Sequence, residues 1–448
     1  MKRIPRRRPD RLDLFAMLLL VSIVPAIFAP LLSHAIRGTS TTVPQSDFPP
    51  HSVLAAELRA QRRLMIPHPL YHLVLIGVQR GVEMVYGNHQ TSRAKAAVGS
   101  SRGEVDGEVL AEVSNQYAGA AIITNVFFVW LLSLILWMQI RKAAGIRGAG
   151  GAFAGVALVI ALMLVAPIAL LHIQDGRYYF GYIGINVWHN PTVIAAKPLV
   201  LITFLATLAG FPERSEPTDR FSFFHGVALA TIVIFGAMAK PSFLMCLLPA
   251  ALFLSACRQW FIGRCVRWGY LFVGLILPAI LALGWQSWIY ARYTGGAHAV
   301  FSPLATMSAM SRHLGPKLLL SILFPVVCYI AWWKQAKFST RLNLAWLAFF
   351  VGLMLTYFVS ETKRTRHGNF LWGAQLALFV LFVESTLFVI ETARSMRIDS
   401  TRDKYDAWRA TVCGTALAFH FAFGVIYCAH LISTRGGSSW LTASWWYH

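Results

Sequence analysis

Residues 70–86 read "LYHLVLIGVQRGVEMVY", and whether this stretch crosses a membrane decides how the rest of the chain is laid out. It is apolar but short for a hydrocarbon core about 30 Å thick. Gln79, Arg80 and Glu83 interrupt it. Charged groups are costly at that depth, whereas a helix lying in the interface keeps them wet. The pattern predicts a helix on the membrane surface that does not span.

Working outward, apolar runs long enough to span recur along all 448 residues. The chain is 56% hydrophobic and 13% charged, against roughly 25% charged in soluble domains. Spans are predicted at 14–33, 118–140, 152–173, 193–210, 222–239, 241–257, 268–289, 317–333, 342–359, 369–391 and 410–432. This is an all-α, polytopic transmembrane bundle of eleven spans, one domain over 1–448, with a long first external loop at 34–117. "MKRIPRRRPDRLD" and the apolar run after it look like a signal peptide. The run is longer than a secretory one and many spans follow, so it reads as an uncleaved first helix.

The placement of Lys and Arg sets the orientation. With the N-terminus in the cytoplasm, 22 cations fall in cytoplasmic segments and 10 elsewhere outside the first loop. A spanning 70–86 would swap every later loop and invert that bias.

The net charge of +21 is spread over short connecting loops. No soluble domain is large enough to clamp a duplex, so nucleic acid is not an expected partner and membrane lipids are. None of the six cysteines falls in 34–116, which speaks against a disulfide framework. No Walker-type phosphate loop, zinc helix motif or nucleophile elbow occurs.

The first loop carries its signal at 43–72, "VPQSDFPPHSVLAAELRAQRRLMIPHPLYH". From Ser52 to Leu64 apolar and charged residues alternate as in an interfacial helix, with Glu57 a partner for an arginine. Asp47 stands before Pro49 and Pro50 and has two open readings. It is the cap of that helix, or a carboxylate held at the membrane surface as general base for an incoming hydroxyl.

On "SDFPPH" early in a long external loop, the surface helix behind it, "IPHPLYH" and the eleven-span count, the chain resembles the GT-C class of integral-membrane glycosyltransferases. The resemblance implies a sugar donor carried on a polyprenyl phosphate or pyrophosphate. It also implies a glycan, lipid or protein acceptor, and an acidic catalytic residue in this loop, here Asp47. His51 and His68 then flank the substrate. Many members carry two neighbouring acids here, whereas Asp47 is followed by Phe48. One carboxylate is a poor metal site, so no cofactor is expected and a divalent ion is left open. Glu104, Asp106 and Glu108 in "GEVDGEV" read as a solvated loop.

Other external segments offer binding groups. "QDGRYYFGYIGINVWHNPT", 174–192, is dense in aromatics that form an interfacial belt or a sugar platform. Tyr182, Trp188, His189 and Asn190 are its substrate-binding candidates, with helix capping the other role for His189 and Asn190. Lys240 lies in a tight link between spans and suits a lipid phosphate. Loop 360–368, within "VSETKRTRHGNF", is external by the span count yet holds three cations. Either it meets anionic headgroups, or Lys363, Arg364 and Arg366 hold a lipid phosphate with His367 and Asn369 at the edge. Glu384 is expected to snorkel or to pair with Arg394.

These expectations add up to an inverting hexosyl- or pentosyltransferase of the cell envelope, in a bacterial inner membrane, with an extracytoplasmic site. The alternatives are a polymerase or ligase of lipid-linked glycans, and a transporter or flippase of an anionic lipid. The last would bury ionisable groups in mid-span.

Overall fold

The computed structural model describes residues 11–37, 47–61, 66, 68–86, 107–146, 148–171, 181–213, 223–293, 296, 298–362, 368–398 and 404–433. Helix α1 is Arg11–Arg37, α2 Phe48–Gln61, α3 Leu70–Tyr86, α4 Gly107–Ala144 and α5 Ala149–Leu164. Next come α6 Pro191–Thr207, α7 Phe223–Ala239 and α8 Ser242–Ala256. Helices α9 (Trp268–Leu271) and α10 (Leu277–Tyr293) are joined by a π turn. The chain continues with β1 Ala299–Phe301, α11 Ala305–Met310, α12 Leu314–Ala331, α13 Trp333–Ala336 and α14 Thr340–Phe358. Strand β2 is Val359–Glu361, and α15 Leu371–Ile398 and α16 Lys404–Ser433 close the list.

Among the described residues nine helical segments are long and apolar enough to cross a membrane. Two more of the eleven expected positions, α5 and α7, are apolar helices of 16 and 17 residues. The protein is a multi-pass all-α bundle. Its packing axis is α15, where every residue from Gly373 to Leu387 is buried, and α14, α8, α4 and α12 pack around it. Large apolar side chains such as Phe224, Phe253 and Phe261 face outward, as lipid rather than water would require.

Helix α4 has 38 residues, about 57 Å at 1.5 Å per residue, and so outruns the hydrocarbon core. Helices α2 and α3 pack against it. The buried stripe of α3, Tyr71, His72, Leu75, Ile76 and Gln79, faces inward, and Asn125 of α4 donates to the Tyr71 hydroxyl at 3.2 Å. A two-pronged ion pair from Arg59 to Glu83, at 2.7 and 2.8 Å, ties α2 to α3. Glu57, expected beside an arginine, is half-buried, and burial pushes its carboxyl up.

Three expectations change. In the predicted span 152–173 the helix stops at Leu164, and 165–169 form no regular element. Pro167 lacks an N–H and disfavours helix at Ala166. The unwound carbonyls find partners: Asn186 Nδ2 donates to the carbonyls of Leu162 and Val165, and His420 Nδ1 to that of Ala166 at 2.7 Å. Irregular backbone at membrane depth needs such enclosure. Gly424 of α16 abuts the Leu164 carbonyl, where a Cβ would collide.

Second, the bundle is not purely helical, because β1 and β2 pair antiparallel through Ala299–Glu361, Val300–Ser360 and Phe301–Val359. Strands of three residues leave too little alternation to read in a sequence. Third, Glu384 pairs with Arg341, Nε to Oε2 at 2.9 Å, rather than with Arg394. The Arg394 guanidinium donates instead to the carbonyls of Lys142 and Ala143.

Candidate active site

Asp47 immediately precedes α2, and the His51 amide donates to its carbonyl at 3.3 Å, closing the first turn. A residue in this position normally turns its side chain onto the amides of the second or third helical residue. Those residues are Pro49 and Pro50, which have no N–H. The prolines that start the helix therefore leave its preceding carboxylate without a capping partner.

That carboxylate looks instead to the segment before α6. Asn190 Nδ2 donates to Asp47 Oδ2 at 2.5 Å, and the Asp47 amide donates to the His189 carbonyl at 2.9 Å. Asn190 also caps α6, because its Oδ1 accepts from the Val193 amide at 3.0 Å and from Thr192 Oγ1 at 2.8 Å. Of the two roles the sequence left open for Asn190, substrate contact and helix capping, the Oδ1 end fills the capping one, while the Nδ2 end holds the Asp47 carboxylate.

Lys240, between α7 and α8, is 6% exposed and donates from Nζ to Thr192 Oγ1 at 3.0 Å. Its ammonium lies 4.7 Å from the centre of the Trp372 ring. Burial pushes it down to about 8, while Asp47 pulls the other way. Asn190 and Thr192 thus stand between ammonium and carboxylate, joining them through neutral groups.

Histidines surround the pair. His51 Nδ1 and His72 Nε2 share a proton at 3.0 Å, and the His68 ring lies 6.3 Å from His51 and 6.4 Å from His72. His189 lies 6.1 Å from Trp372. Burial pushes His51 and His68 well down, with Lys240 adding to it, and takes His72 to about 4. His189 is lowered by burial and partly restored by Asp47. All four imidazoles are therefore neutral near pH 7. Asp47, His51, His68, His189 and Trp372 each keep partial exposure, whereas His72, Asn190 and Lys240 lie beneath.

Of the residues singled out from the sequence, Asp47, His51, His68, His189, Asn190 and Lys240 come together here. Tyr182 and Trp188 do not join them. The Tyr182 hydroxyl accepts from the Leu171 amide at 3.1 Å, and Trp188 packs on Phe28 at 4.8 Å and under Lys197. Asn369 donates to Glu361 at 2.9 Å and to Tyr290 at 3.1 Å, beside a cavity lined partly by Thr306 and Thr356. Trp372 follows it by three residues. Lys363, Arg364, Arg366 and His367 lie outside the described residues, as do Glu104 and Asp106.

Three members of the cluster escaped the sequence reading. His72 had a signal, its spacing of four from His68. Thr192 and Trp372 had none, sitting in a capping motif and an apolar run. Among the described residues no set of three or more His, Cys, Asp or Glu side chains is arranged to hold a metal ion.

Fold and site define a multi-pass helical membrane protein with one carboxylate, one lysine and four neutral imidazoles gathered where the first loop meets the bundle. No family model matches the sequence, and no curated protein matches it.

Proposed function

We propose that the protein is a glycosyltransferase that moves a sugar from a polyprenyl-phosphate or -pyrophosphate donor to an acceptor hydroxyl. The observation that carries this reading is the Asp47 carboxylate. It is partly exposed, deprived of capping work by Pro49 and Pro50, and held by Asn190 among imidazoles. Such a group suits proton abstraction from a hydroxyl. Neutral imidazoles and the Trp372 face suit the hydrogen-bonding rim and flat faces of a sugar ring.

In this reading the acceptor oxygen attacks the anomeric carbon as its proton passes to Asp47. The bond from that carbon to the phosphate oxygen breaks, and its electron pair leaves with the phosphate. Displacement from the opposite face inverts the anomeric centre. Cations offset the departing charge, and Lys240 with Lys363, Arg364 and Arg366 are the groups proposed for that role. The site is extracytoplasmic if the N-terminus is cytoplasmic.

The transporter alternative would use buried ionisable groups within the helices, Lys197, Lys317, Glu384 and His420 among them. Lys197, within α6, is 2% exposed, donates to Asn186 Oδ1, and lies between the Trp188 and Phe379 rings at 5.3 and 5.0 Å. Its partner Asn186 also holds the carbonyls of the unwound segment, which explains the lysine as a brace for the chain that delivers His189.

The test is transfer by purified protein from a polyprenyl-phosphate-sugar pool. Asp47→Asn should cost about 10²- to 10⁴-fold in turnover, the range for loss of a general base. Full activity in that variant would end the assignment of Asp47 as base.

A further inference from the structure

The geometry points to Lys240 as the anchor of a phosphate-binding site, with His51, His68 and His189 as neutral donors around it. This deepens the reading above, on whose donor class it rests. A buried ammonium normally spends its donors on carboxylates or several neutral acceptors. Lys240 has a hydrogen bond to Thr192 and the face of Trp372, and no ion pair with Asp47 is formed. An ammonium carries three N–H groups, and one of them is given to Thr192. Lysine acts on phosphate as a compact point charge.

His72, fully buried, holds the His51 ring through its Nε2 at 3.0 Å. Burial first, and the Lys240 charge beside it, hold the imidazoles neutral. A bound anion accepts from their N–H groups and from the ammonium together. Asp47 does not compete for the same donors, because Asn190 and Thr192 separate it from Lys240.

The site has a pH signature. Phosphate needs the ammonium form of Lys240, which the free protein loses as pH rises through about 8. A bound anion keeps the proton on to higher pH. Affinity is therefore full below about pH 8 and falls by up to tenfold per unit above it, by linkage. The other groups facing Lys240 are Asp47, His51, His68, His72 and His189. The histidines are neutral throughout that window.

The experiment measures calorimetric binding of farnesyl phosphate to the full-length protein in detergent, between about pH 7.5 and 9.5. The monoester is a dianion throughout, its second ionisation lying near 6. The wild-type dissociation constant should rise at least about tenfold across the window. Lys240→Arg, whose charge is permanent, should bind with a flat profile, and Lys240→Met should lose binding. A flat wild-type profile, or wild-type affinity in Lys240→Met, overturns the proposal, as does farnesol binding equally well. If Lys240→Met does not fold, the Lys240→Arg profile decides: a fall matching the wild type's overturns the proposal too. Inorganic phosphate binding as tightly, with the same pH dependence, keeps the anion site and moves its source from a lipid headgroup to free phosphate. Asp47→Asn should bind farnesyl phosphate at least as well as wild type while losing transfer. Failure of the anion site and failure of the transferase reading are thereby told apart.

Discussion

Asp47 shows how a residue's role is set by what its neighbours lack. An aspartate before a helix is by default a cap, and two prolines where the receiving amides belong remove that default. The inference needed only the sequence and helix geometry, yet the sequence could not say where the freed carboxylate would go. Asn190 is 143 positions away in the chain, and only folding brings it within reach. Returning an N–H at the third helical position tests the point. In Pro50→Ala that amide competes for the carboxylate by about 1 kcal/mol, the net worth of a hydrogen bond. Transfer should fall roughly fivefold, with melting temperature unchanged or higher. Unaltered transfer would show that the prolines do not free Asp47.

At the scale of elements, α4 and α15 do most of the positioning. Helix α4 outruns the membrane, which gives α2 and α3 a wall and lets the first loop fold down over the bundle. The apolar run of α15 was plain in the sequence. The partner of its one mid-helix acid was not, since an ion pair leaves no periodicity. Glu384 is 1% exposed at its side chain, and Arg341 grips both of its oxygens at 2.9 and 3.2 Å. Removing one partner of a buried pair strands the other charge, at a cost of about 3–5 kcal/mol. Arg341→Ala should therefore lower the unfolding midpoint in detergent sharply, and Arg341→Ala with Glu384→Gln should recover part of the loss. Equal stability of wild type and single variant would show that solvent reaches the carboxylate.

For the whole molecule the question is sidedness. The layout expected from the sequence, with the N-terminus inside, α3 on the surface and eleven crossings, would put the first loop and residues 360–368 on one face. The bias in Lys and Arg is the support for it. Two of the expected crossings, α5 and α7, are short helices, about 24 and 26 Å long. In a cysteine-free background, a membrane-impermeant thiol reagent added to intact cells should label Ala94→Cys and spare Ser215→Cys until the cells are broken. The opposite pattern, or labelling of both, would refute the layout.

The sequence alone determined that this chain lives in a membrane, which stretches are helical, and that Asp47, His51, His68, His189, Asn190 and Lys240 merit attention. Hydrophobic length and proline chemistry are local properties, and local properties are written in consecutive residues. Tertiary structure decided that those six residues gather in one place, that His72, Thr192 and Trp372 join them, and that Tyr182 and Trp188 do not. It also broke the third predicted span at Leu164 and gave Glu384 to Arg341. Those outcomes depend on which helix faces packed together, because a buried polar group must take whichever partner packing brings to it.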